Sequence, residues 1–158
     1  MKLKKTSILK LLIITIGIMG LVLCIFLLPW LAQYMTKQNS QFATLKYPIM
    51  SVVYITAIPF YIALYQGYHI LKHIETKNAF SQHAVNSLKY IKYCTSIITV
   101  VYIIGLIVLL LINILYISII VAFILIIFAA MTVTLLASVL QELLTQALEI
   151  KAENDLTV

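Results

Sequence analysis

The sequence contains no arginine: all eleven of its basic residues other than histidine are lysines, set against five acids for a formal charge of +6. Without a guanidinium fork there is no bidentate grip for phosphate, which argues against direct nucleic-acid binding. Charge is scarce altogether. Charged residues make up 10% of the 158 and apolar ones 63%, whereas a soluble domain carries roughly a quarter charged. Cysteine is nearly absent too. Cys24 and Cys94 lie far apart in apolar runs with no C-x-x-C or histidine-rich companion, so a disulfide framework or zinc site is unsupported and packed thiols are expected. No nucleotide loop, Ser-His-Asp order or paired carboxylates appear, and no cofactor or enzymatic activity is expected.

What is present is apolar length. Tyr93 to Gln141 is a run of 49 residues without one Asp, Glu, Lys, Arg or His. As a single helix it would measure roughly 74 Å, more than twice the ~30 Å hydrocarbon core of a bilayer. Backbone groups in lipid need internal partners, so the run must fold back as two helices joined by a tight turn. Asn113 is the best place for that turn. The chain reads as an all-α polytopic membrane protein: a single domain, residues 1–158, built as a four-transmembrane-helix bundle. The expected spans are 8–31, 48–71, 93–112 and 114–141. Between them lie an outer polar loop at 36–46 and a cytoplasmic connector at 72–92, and the fourth helix extends as a cytoplasmic arm over 142–158.

Lys2, Lys4 and Lys5 ahead of an apolar stretch imitate a signal peptide. No small-x-small site follows, and apolar residues continue to Leu31, so the stretch reads as a retained span. Nine of the eleven lysines (2, 4, 5, 10, 72, 77, 89, 92 and 151) fall on the side of the termini, and Lys37 and Lys46 on the other. By the positive-inside rule both termini are expected on the cytoplasmic side of the membrane. None of the span interiors holds Asp, Glu, Lys or Arg, the groups an ion-coupled transporter keeps there. Small multidrug exporters, also four-helix proteins, are disfavoured because the first span has no acid.

The second span contains the most suggestive pattern. Tyr54, Tyr61, Tyr65 and Tyr68, spaced seven, four and three apart, form one stripe along a helix that Pro59 should kink. The commoner use of such a stripe is a packing seam whose hydroxyls reach neighbouring carbonyls. The other is an aromatic wall of a ligand cavity beside the kink, with Tyr54, Pro59, Tyr61, Tyr65 and Tyr68 as its candidate residues. Thr15, Thr56, Gln66, Thr95, Ser96, Thr99, Thr132 and Thr134 are suited only to hydrogen-bonding across helices. His69 and His73, four apart, have a metal-ligand spacing but no third ligand of clear geometry, so two interfacial histidines are expected.

Ser81 reads as a helix cap, with Phe80 and Val85 as a hydrophobic staple. In the fourth span Ala130, Thr134 and Ser138 are small residues at successive fourth positions, suited to close packing within the bundle or, less commonly, to a homodimer seam. Leu140, Leu143, Leu144, Ala147 and Leu148 then make one face of an amphipathic arm.

Pro59 with Ala63-Leu64, Phe80-Ser81 leading to Leu88-Lys89-Tyr90-Ile91, and the closing Glu153-Asn154-Asp155-Leu156-Thr157-Val158 together resemble the YoaS-like bacterial membrane proteins. That family is a domain of unknown function with four predicted spans, often encoded beside a helix-turn-helix regulator of the Xre type. The resemblance implies such a partner and supplies no catalytic residue. The first functional expectation is therefore an interaction partner of a cytoplasmic regulator, docked on Glu142, Glu149, Glu153 and Asp155. The alternative is a binder or carrier of a small amphiphile, lipid or peptide toxin at the tyrosine stripe, and a third reading is a purely structural subunit.

Overall fold

The computed structural model describes residues 2–38, 40–76, 81–113 and 116–157, with the backbone alone at residues 2, 3, 38, 41 and 42. Helix α1 (Lys2–Val22) passes through one π turn (Leu23–Leu27) into α2 (Leu28–Gln38), and α3 (Ser40–Glu75), α4 (Gln82–Leu111) and α5 (Ile117–Leu156) follow. Counting α1, the π turn and α2 as one rod, four rods are long and apolar enough to cross a membrane. Among the described residues there is no strand.

Lys10 of α1 meets Glu75 at the end of α3, His73 of α3 faces His83 at the start of α4, and Thr95 of α4 bonds Thr134 of α5. Successive rods are therefore antiparallel, and the start of α1 lies at the same end of the bundle as the end of α5. α4 is the central rod, packed most extensively on α5 and α3, while α1 and α2 lean chiefly on α3.

The expected spans fall on these helices except at the reversal, where Ile112 and Tyr116 cap α4 and α5 and residues 114 and 115 lie outside the described residues. The loop boundaries need correction. Residues 36–38 continue α2 and α3 begins at Ser40, so the stretch read as a loop over 36–46 is mostly helical. It contains neither Gly nor Pro to end a helix, and its polar composition marks exposure rather than irregular backbone. The connector 72–92 is likewise helical to Glu75 and again from Gln82. Ser81 does cap α4: its backbone is extended (φ −129°, ψ 153°) and its hydroxyl accepts from the Ala84 amide at 3.4 Å. Val85 is buried. Phe80, its expected staple partner, and Lys77 lie outside the described residues.

At the other end of α4, Asn113 adopts the left-handed conformation with φ 59° and donates its amide to the Leu110 carbonyl at 3.1 Å. Asparagine is among the few residues that take this conformation at modest cost, which is why the long apolar run reverses there.

The core forms where α4 and α5 approach closely. Tyr102 and Phe123 meet edge-on at 5.0 Å among Ile98, Leu109 and Ala130. Gly105 is needed on α4 because a Cβ there would sit 3.0 Å from the Phe123 ring. The small-residue stripe of α5 turns to α4: Ala130 and Ala137 are buried, and Thr95 and Thr134 share a hydrogen bond of 2.7 Å. Replacing Thr134 by Val should cost about 0.6 kcal/mol and at most about 1.7. Equilibrium unfolding in mixed micelles checks this, and Thr95→Val in the same background should add little.

Candidate functional site

The site grows from a proline. In the π turn the Leu28 amide bonds the Leu23 carbonyl, five residues back. The next bond in that register would run from residue 29 to the Cys24 carbonyl, but residue 29 is proline and has no N–H. The Cys24 carbonyl is instead satisfied from outside its own helix. Tyr54 of α3 donates its hydroxyl to it at 2.8 Å.

About two turns further along the seam, Tyr61 donates to the Gly17 carbonyl at 2.8 Å. Glycine at position 20 permits that approach, since a Cβ there would lie 3.0 Å from the Tyr61 oxygen. On the opposite side of α3, Thr56 hydrogen-bonds the Val52 and Val53 carbonyls of its own helix, at 2.9 and 3.1 Å, and lies 3.3 Å from the Tyr102 hydroxyl of α4.

These groups border one cavity of about 340 Å³, within the ~300–1,000 Å³ range of small-ligand sites. Its walls come from the α1–π–α2 rod, α3, α4 and Ile126 of α5, and none of the described lining residues is charged. Four carry a polar side chain: Cys24, Thr56, Tyr61 and Tyr102. Leu23 and Ile126 at its border are exposed on the surface that faces lipid. A second cavity, about 350 Å³, lies between α3 and α4 against Val52, Gly105 and Phe123 and is apolar throughout.

The tyrosine stripe is thus divided. Tyr61 lines the 340 Å³ cavity and Tyr54 ties its wall together, but Pro59, Tyr65 and Tyr68 do not line it. Tyr65 is 65% exposed and sits 6.3 Å from the His69 ring. Tyr68 lies under the Lys10 ammonium, 5.5 Å from its ring centroid, while that ammonium also pairs with Glu75 at 2.5 Å. α3 runs through Pro59 as continuous helix.

His69, His73 and His83 form a file of rings 4.4 and 5.8 Å apart, and His73 Nδ1 is taken up by the His69 carbonyl at 2.9 Å. Among the described residues no group of three or more His, Cys, Asp or Glu can hold a metal ion. Glu142, Glu149, Glu153 and Asp155 are all exposed on α5. The first three, spaced seven and four apart, share a face, and Asp155 lies across the helix from Glu153.

Residues 30–158 match the family described as "Protein of unknown function (DUF2975)". The chain belongs to the DUF2975 family. The chain is also 44% identical, over 161 aligned positions covering 97% of each sequence, to the "Uncharacterized membrane protein YoaS" of Bacillus subtilis (strain 168). No solved structure matches. This DUF2975 chain is a membrane protein by its four helices long and apolar enough to cross a bilayer, in keeping with the description of its relative.

Sequence reasoning missed the π turn, although a proline at position 29 inside an apolar helix was its signal. It also missed Tyr102, which no stripe marked. Removing the Tyr54 hydroxyl should expose the defect at Pro29. We expect Tyr54→Phe to cost about 1–3 kcal/mol, the penalty for a carbonyl left without a donor in hydrocarbon, where no water replaces it. In a Pro29→Ala background, which restores the amide, the cost should fall toward zero. The double-mutant cycle in detergent measures the coupling.

Proposed function

We propose that the chain is a non-enzymatic membrane protein that binds a small amphiphile between the α1–π–α2 rod and α3. The observation that carries this is the 340 Å³ cavity, uncharged, bordered by lipid-facing residues and furnished with hydroxyls at only a few points. An apolar enclosure with few placed polar groups is what recognises a hydrocarbon chain bearing one modest headgroup. Lipid reaches such a site laterally, so no aqueous path is required. The fully apolar cavity beside Gly105 offers room for a second hydrocarbon segment.

A photoreactive alkyl diazirine in nanodiscs should label residues 20–28 and 53–61. Ala57→Phe, which fills the cavity from one wall, should reduce labelling at least severalfold while the protein still inserts. Labelling spread evenly along the lipid-facing helices, unchanged by that substitution, would remove the basis of the proposal.

The α5 arm supports a second reading, the docking of a cytoplasmic helix-turn-helix regulator. Its exposed acids form one face over Glu142, Glu149 and Glu153, and the arm shares an end of the bundle with the lysine-rich start of α1. With both termini cytoplasmic, as the lysine distribution directs, these acids meet a basic DNA-binding protein. Reporters fused at either terminus should both read cytoplasmic. Deleting residues 149–158 should abolish co-purification of the regulator without loss of insertion.

A further inference from the structure

Hydrogen-bond direction inside the cavity restricts the ligand further, given the binding reading above. A tyrosine or threonine hydroxyl has one proton to give and lone pairs to receive. Thr56 spends its proton on the carbonyls of its own helix at 2.9 and 3.1 Å, shorter than its 3.3 Å contact with Tyr102. Tyr102 therefore donates to Thr56, and its proton is spent too. Tyr61 gives its proton to the Gly17 carbonyl, and Tyr54, just behind the wall, gives its own to the Cys24 carbonyl. Backbone amides in the helical walls are engaged in the helices, and the Cys24 thiol is only a weak donor.

The oxygens of Tyr61 and Tyr102 can thus accept a hydrogen bond from a ligand but have no proton left to offer. We infer that the cavity selects an uncharged long-chain amphiphile whose headgroup donates a hydrogen bond, a hydroxyl above all. It discriminates against carboxylates, phosphates, ethers and quinone-type carbonyls. A carboxylate placed there would meet acceptors only and would bury its charge without a partner. An ether or ketone would lose its water hydrogen bonds and gain none.

The test is a competition among three ligands of equal chain length in phosphatidylcholine nanodiscs holding the full chain. Hexadecanol, its methyl ether and hexadecanoate each compete with the alkyl diazirine for labelling of residues 20–28 and 53–61. Hexadecanol should compete roughly five- to tenfold better than either of the others, the value of one well-made hydrogen bond.

Thr56→Val supplies the converse. It is nearly isosteric and returns the Tyr102 proton to the cavity, so the methyl ether, which finds no donor in the unsubstituted protein, should compete better than it does there by a similar factor. Equal competition by alcohol and ether, a preference for hexadecanoate, or no gain by the methyl ether in Thr56→Val over the unsubstituted protein would overturn the donor rule while leaving amphiphile binding in place. Failure of all three to reduce labelling would instead overturn the binding reading itself.

Discussion

A peptide group inside hydrocarbon has no water to fall back on, and the arrangement of this molecule follows from that single constraint. Helices satisfy it along most of the chain. Where a helix cannot, another part of the protein must reach in. Pro29 is the clearest instance: by lacking an N–H it leaves the Cys24 carbonyl open, and Tyr54 crosses from α3 to close it. The first rod is thereby held to the second at a fixed depth. Tyr61 on the Gly17 carbonyl repeats the link about two turns along, and Lys10 with Glu75 ends the series at the water-facing end.

The rods differ in how much they depend on such links. α4 and α5 bury Tyr102, Phe123, Ala130 and Ala137 against each other and are held by close packing. In the first rod no residue of the most apolar stretch is buried. Dispersion contributes little there, because lipid tails offer contacts almost as good as those of protein side chains. Directional bonds to tyrosines must therefore supply what packing does not. A seam held by a few bonds rather than by continuous interdigitation leaves gaps between them, and the 340 Å³ cavity is one of these.

The same reasoning separates what could be read from the sequence from what could not. Four apolar helices and the reversal at Asn113 were legible because length against bilayer thickness and the scarcity of residues that accept φ > 0 are one-dimensional facts. The ends of the helices were not. A polar segment such as 36–46 looks alike whether it is a loop or a helix emerging into water. Of the stripe, Tyr54 and Tyr61 could be placed on a seam, but Tyr65 and Tyr68 share their helical face and do other things. The stripe follows one helix, whereas α3 has α1 beside it for only part of its circumference and different neighbours along its length. Tyr102 was illegible for a related reason: its importance comes from Thr56, 46 residues away, and no local pattern joins them.

Hydroxyls in a membrane protein are usually regarded as adhesive between helices, and Thr95 with Thr134 fits that description. Around the cavity they have a second consequence. Each hydroxyl used to satisfy a carbonyl loses its proton to that task, so stabilising the fold fixes the polarity of whatever space remains. Thr15, Thr99 and Thr132 bond only within their own helices and leave no such trace. Thr56 does so while also touching Tyr102, and that combination turns a structural economy into a chemical preference. The direction of a hydrogen bond, set by which backbone groups need partners, is then what would decide the kind of molecule the cavity holds.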